Sequence, residues 1–284
     1  MIYMIQDELI LNPEIINFNP AIESKKFFWI KSVWDDSLIK TLKKAKAIIL
    51  PQSVTREFYY FCKSICPNCF PNYDIRFRWE GKVGDALLFK SFNIAHPKTF
   101  IFPCLEALSD EHLFITKPFE LPTFPFVVKS ARGGEGTGTW LVNNQSEFQQ
   151  VLKILKRLEW QGQEGFIIQE YIPFVTRDLR VVVIGDHIIS YWRYSEDSFY
   201  HNISKGAKVD KDSDPKLQEI GKYAVKKICE LTKINLAAFD LIFKDQQPLF
   251  LEINYTFGRT GLGGSEAFYK LLKEAINNWL KRVL

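Results

Sequence analysis

The chain has 284 residues, enough for one large or two to three small domains, and 46% hydrophobic against 25% charged residues is an ordinary globular composition. The 37 Lys and Arg exceed the 33 Asp and Glu by only four, a surplus too small to suggest a nucleic-acid footprint. No apolar run approaches the roughly 18–20 residues that span a bilayer, and Met1 to Glu8 lacks the basic and apolar regions of a secretory leader. The expectation is a cytoplasmic protein with no membrane or nucleic-acid partner.

Taken in chain order, residues 1–80 hold short mixed elements. The clearest is the strand signal Ala47-Ile48-Ile49-Leu50, preceded by a basic helical stretch over 38–46. Phe58 to Phe61 reads as helical and Pro67 to Pro71 as a turn. Between them Cys62, Cys66 and Cys69 have a C-x3-C-x2-C spacing known from iron–sulfur sites. Nothing around them reads as the first strand of a β/α barrel, and five cysteines in all favour reduced thiols over a cluster, a structural zinc or a disulfide framework. A helix is predicted over 84–92 and a strand over 98–102, followed by the proline-punctuated segment 116–125.

From Phe126 the pattern becomes regular. The strand Phe126-Val127-Val128-Lys129 leads into a Gly-rich loop over 130–138, and the strand 139–142 follows it. Gly133, Gly134, Gly136 and Gly138 let the backbone approach a polyphosphate, but the loop is not a Walker A motif, and a Gly-rich turn alone is more often just a mobile hairpin. Lys129 beside it favours phosphate. A helix over 147–158 and a strand over 166–170 come next. Glu170, Tyr171 and Ile172 then leave the strand in an extended segment that either reads an adenine edge or packs Tyr171 into the core.

Gly185-Asp186 fits a two-residue hairpin turn, pairing Ile184 with His187 and hence Asp178 with Arg193. Arg180 shares a face with Asp178. The group is either a ribose and phosphate site or a cross-strand salt bridge. A helix over 215–231 precedes a second hairpin, and a helix over 266–284 follows it. A five-residue loop over 244–248 in that hairpin pairs Phe243 with Leu249 and places Asp240 opposite Glu252, with Asn254 on the same face. Facing carboxylates repel, and a hard cation such as Mg²⁺ would reverse that sign. Hairpins alternating with helices predict an α+β (mixed α/β) architecture.

In this order the segments resemble the ATP-grasp superfamily, in its RimK-like carboxylate–amine ligase branch of the glutathione synthetase and ribosomal-protein glutamate ligase type. The matching residues are Phe126 to Lys129 with the Gly-rich loop, Gln169 to Ile172, Asp178 to Arg180, Tyr200 to Asn202, Asp240, and Glu252 to Asn254. The resemblance implies an ATP-grasp fold over 81–172 and 173–284, after a small N-terminal α/β domain over 1–80. It implies ATP phosphates on Lys129 and more weakly on Lys82, adenine at Glu170, Tyr171 and Ile172, and ribose at Asp178. Asn202 would lie near the phosphates, and Asp240, Glu252 and Asn254 would hold two Mg²⁺, with Mn²⁺ able to substitute.

The implied reaction joins a small-molecule or peptide carboxylate to an amine through an acyl-phosphate, releasing ADP and phosphate, with Arg193 and Arg180 stabilising the transferring group. An ATP-grasp phosphotransferase acting on a hydroxyl, or a nucleotide-binding protein without turnover, would share the nucleotide half. A second copy of the chain is a potential partner. Departures fall after Asn254, where Tyr255 to Arg259 replaces the common Ser-Pro-Gly, and at Tyr200, His201 and Ser204. The substrate is therefore not carried over.

Overall fold

The first strands of the chain are too short for side-chain alternation to register. In the computed structural model, which describes residues 12–30, 35–108, 121–133, 137–173, 175–194 and 208–284, β1 (Ile15–Asn17), β2 (Ala47–Ile49) and β3 (Cys69–Phe70) form a parallel sheet in that order. The turn expected over 67–71 is thus partly a strand. The amides of Ile48 and Leu50 need acceptors, and the carbonyls of Asn68 and Phe70 supply them at 2.8 and 2.7 Å. Helices α1 (Asp36–Leu42) and α2 (Arg56–Ile65) begin at Asp35 and Thr55, whose side chains accept the amides of Leu38 and Phe58. Cys62, Cys66 and Cys69 are buried with Phe58, Tyr59 and Phe77. Burial pushes the Cys62 thiol up to about 12 and raises the other two, so all three are neutral and unreactive.

After a short helix α3 (Asp74–Arg78), α4 (Gly81–Ser91) precedes a second, antiparallel sheet. Its strands β4 (Thr99–Phe102), β5 (Phe126–Ser130), β6 (Thr139–Val142) and β7 (Phe166–Glu170) lie in the order β4-β7-β5-β6. Helix α5 (Gln145–Trp160) starts at Asn144, which accepts the Glu147 amide, while Glu147 reaches back to the Asn143 amide. Its Phe148, Val151 and Leu155 pack on Phe126, Val128, Val142 and Ile168. Each fully buried side chain of this kind contributes about 1.5–3 kcal/mol.

The third sheet contains β8 (Arg177–Ile184), β9 (His187–Tyr194), β10 (Lys208–Asp210), β11 (Leu236–Lys244) and β12 (Gln247–Asn254), antiparallel in the order β10-β9-β8-β11-β12. The β8–β9 register is the expected one: Ile184 faces His187 and Asp178 faces Arg193. The β11–β12 hairpin corrects the expected loop. Asp245 and Gln246, at φ 50° and 66°, make a two-residue turn, and Phe243 faces Pro248 rather than Leu249. A bulge between Asp240 and Leu241 then shifts the ladder by one, so Asp240 still faces Glu252.

The two faces of this sheet have different fates. Leu179, Val181, Val183, Ala237, Phe239 and Leu241 pack against α4 and α6 (Pro215–Thr232). On the other face, Val182, Ile184, Leu236 and Ala238 pack under α7 (Ser265–Val283) and under Ile15, Ala47, Ile49 and Phe70 of the N-terminal sheet. The same face continues into charged residues and then into Ile242 and Leu249, which meet Ile172. Hydrophobic core, charge and a small apolar shelf therefore follow one another along a single sheet face.

Candidate active site

Strand alternation puts Asp178, Arg180, Tyr191, Arg193, Asp240, Glu252 and Asn254 on that charged stretch. Arg180 Nε and Nη2 donate to Asp240 Oδ1 and Oδ2, both at 2.7 Å. Arg193 makes the same two-pronged contact with Asp178 at 2.7 Å, and its Nη2 lies 3.0 Å from Asp240 Oδ2. All four side chains are buried. Burial alone would raise the Asp240 carboxyl, but Arg180 and Arg193 outweigh it and hold the group below the usual carboxylate range. The expected alternative for Asp178, a cross-strand salt bridge, is what its geometry shows, buried rather than exposed.

Asn254 Nδ2 bridges the two facing acids, 3.0 Å from Asp240 Oδ2 and 3.1 Å from Glu252 Oε1. Two carboxylate oxygens thus converge on the amide N–H, and an ion between them would take its third ligand from Asn254 Oδ1 once the amide is turned over. Among the described residues no group of three or more His, Cys, Asp and Glu would hold a metal. The donor set fits Mg²⁺, which takes one or two carboxylates and keeps water and phosphate in its shell.

Beside this face lies a cleft of about 310 Å³ lined by Lys82, Asp85, Ala131, Arg132, Gly133, Glu252 and Asn254, among others. Lys82 and Lys129 are buried cations from α4 and β5. Burial pulls both ammonium groups below their ordinary range, opposed first by Glu252 in each case. Lys82, Lys129, Arg180 and Arg193 are therefore matched by Asp85, Asp178, Asp240 and Glu252.

Asp85 escaped sequence reading. It is buried, and its Oδ2 accepts the Ile253 amide at 3.0 Å, between Glu252 and Asn254. Burial pushes its carboxyl well above the usual range. An acid one turn into a helix reads as solvated, and only its place one turn after Lys82 hinted otherwise. Tyr191 was missed too. Its hydroxyl is buried beside Arg180 without a well-formed hydrogen bond among the described residues, and Gly261 lies so close that an added Cβ would sit 2.2 Å from the ring.

The other expected site residues are placed apart. Glu170 and Tyr171 line a separate cleft of about 320 Å³ with Lys98 and Phe124, and Glu170 Oε1 lies 3.8 Å from Lys244 Nζ. Ile172 sits on the apolar shelf with Ile242 and Leu249. Gly134, Gly136 and Asn202 lie outside the described residues. Tyr255, expected near the acceptor pocket, stands edge-on to Tyr73 of the N-terminal segment at 5.8 Å with Arg76 nearby. Its carbonyl accepts Gln52 Nε2 at 3.2 Å.

Paired antiparallel sheets with charged residues between them define the ATP-grasp class. The fold is shared with D-alanine–D-alanine ligase from Bacillus anthracis, solved with ATP (TM-score 0.63, 17% identity, covering 92% of this chain and 87% of that one). It is shared also with a RimK-domain ATP-grasp protein from Sphaerobacter thermophilus (TM-score 0.55, 17% identity, 81% of each chain). The profile of the RimK-like ATP-grasp domain matches residues 86–271, and the chain belongs to that family. Among curated relatives, a probable alpha-L-glutamate ligase of Xanthomonas campestris pv. campestris is 29% identical over 144 residues, 49% of this chain and 47% of the relative. One of Xanthomonas oryzae pv. oryzae is 31% identical over 144 residues, 49% of this chain and 46% of the relative. The match spans about half the length of these relatives.

Proposed function

We propose that the protein is an ATP- and Mg²⁺-dependent ligase that joins a carboxylate to an amine through an acyl-phosphate. The observation that carries the reading is the facing pair Asp240 and Glu252, bridged by Asn254 and flanked by four buried cations. Four buried cations beside the facing acids suit a polyphosphate whose charge is shared with a divalent cation. Names of family relatives, glutamate ligases and a D-alanine ligase, are those of carboxylate–amine ligases.

Asp240, Glu252 and Asn254 would hold the ions, which supply charge neutralisation at the β- and γ-phosphates. Lys129 and Lys82 bind the phosphates from the opposite sheet and α4. Adenine would sit where the cleft of Glu170 and Tyr171 adjoins Ile172, whose neighbours Ile242 and Leu249 offer an apolar surface. Asp178 lies within reach of the ribose. A carboxylate oxygen takes the γ-phosphoryl group as its bond to ADP breaks. The amine then attacks the acyl carbon, phosphate leaves, and one proton leaves nitrogen. Arg180 and Arg193, fixed by their carboxylates, keep positive charge beside the transferring group without rearranging. The units 81–172 and 173–284 act as the two halves of the grasp, with 1–80 beside them.

The test is ADP release with panels of amino acids and small peptides, with hydroxylamine as the trap. A hydroxamate formed from a carboxylate alone supports the ligase. ADP formation that needs an alcohol and gives no hydroxamate points to the phosphotransferase and overturns it. Glu252→Gln should abolish turnover at unchanged thermal stability. Full activity in that variant would remove the metal assignment.

A further inference from the structure

We propose that Lys82 is a positioning residue that clasps the two stems of the Gly-rich turn together, at Gly133 and Thr137, before nucleotide binds. The loop's ligand follows from the function proposed above, but the clasp itself needs only the chain.

Helix α4 abuts the β5–β6 turn because Gly81, at φ +72°, has no Cβ; one built there would sit 2.2 Å from the Ala131 carbonyl oxygen. The Lys82 amide then donates to that same oxygen at 2.9 Å. Farther out, the buried Lys82 ammonium donates to the carbonyls of Gly133 at 3.2 Å and Thr137 at 3.1 Å. These two carbonyls belong to opposite stems of the turn. Below them, Ser130 Oγ donates to Arg132 O at 2.7 Å and approaches Gly138 O at 3.3 Å, closing the neck.

Glycine at 133 is part of the device. Its φ is +137°, and an added Cβ would lie 2.4 Å from Thr137 O and 3.3 Å from Lys82 Nζ. An ammonium has three donors, so two bonds to the turn leave one for a phosphate oxygen. Because the C=O and N–H of one trans peptide unit point opposite ways, holding Thr137 O also fixes the aim of the Gly138 N–H. Among the described residues the Lys129 ammonium, on β5, donates to neither stem, and the two lysines therefore divide the work: one holds the stems, the other supplies charge.

Arg132 is exposed on the near stem and gives a cleavage site for trypsin. The test is limited trypsinolysis of the full nucleotide-free chain, comparing wild type, Lys82→Met and Lys129→Met, with urea midpoints measured in parallel. Cleavage in this regime follows the population of the open segment. Lys82→Met should be cut after Arg132 at least about tenfold faster, an excess over any change in cuts elsewhere and over what its shift in urea midpoint accounts for. Lys129→Met should be cut at the wild-type rate. Lys82→Arg, which can still reach both carbonyls, should restore most of the protection; if Lys82→Met fails to fold, Lys82→Gln is read in its place and should likewise be cut faster than wild type. Equal cleavage after Arg132 in wild type and the Lys82 variants overturns the clasp. ATP binding to the wild type, measured separately, judges the nucleotide reading: its failure leaves the cleavage result standing.

Discussion

Replacing Arg193 by Met isolates the buried charge network. Arg193 is 2% exposed, bonds both oxygens of buried Asp178 at 2.7 Å, and lies 3.0 Å from Asp240. The substitution keeps most of the volume and leaves the Asp178 carboxylate without its guanidinium. Breaking a buried pair by removing one partner costs about 3–5 kcal/mol. At about 2–4 °C per kcal/mol for a chain of this size, Tm should fall by about 6–20 °C. The double variant Arg193→Met/Asp178→Leu removes both charges of the pair, and most of the loss should return, while Asp240 keeps Arg180. Urea denaturation at pH 7 in EDTA, without nucleotide, measures both. A loss below about 1 kcal/mol, the value of an exposed pair, or a double variant no more stable than the single, would refute the reasoning.

Asp85→Asn should stabilise the nucleotide-free protein at pH 7. The native carboxyl is raised above its unfolded value, so the native state binds more protons above about pH 4 and wild-type stability falls as pH rises through that window. The advantage of the variant should vanish below about pH 4, and a wild type more stable at neutral pH would count against it. Gly261→Ala should cost about 1–3 kcal/mol in urea denaturation, since its Cβ would lie 2.2 Å from the Tyr191 ring. Unchanged stability would mean the loop over Tyr191 yields easily.

What could be read from the sequence depended on whether local chemistry specified the geometry. Gly185-Asp186 specified a tight turn, and the β8–β9 register followed to Asp178 and Arg193. The Asp240–Glu252 pair was also read correctly, but through a loop three residues too long. The bulge that compensates it has no signature in Phe250-Leu251-Glu252, because it arises where the strand is bent by its neighbours. The parallel N-terminal sheet was only partly legible, since β1 and β3 have three and two residues. Asp85 was not legible, because its burial depends on β12 arriving from 168 residues away. The arginines were found, and a salt bridge from Arg193 to Asp178 was one of two open readings, but that Arg180 spends its fork on Asp240 required the register and the depth together.

Tyr255 ties the end of the β11–β12 hairpin to the N-terminal segment, its ring edge-on to Tyr73 and its carbonyl accepting from Gln52. Together with the shared packing of Ile15, Ala47 and Phe70 on Val182 and Leu236, this joins the N-terminal sheet to the sheet that carries the charged face. The three parts are therefore not interchangeable modules. A chimera that grafts another relative's first 80 residues onto this grasp would have to bring matching partners for Tyr255, in the places of Gln52, Tyr73 and Arg76. Recombination among such enzymes is thus constrained at a seam far from any breakpoint that sequence similarity would suggest.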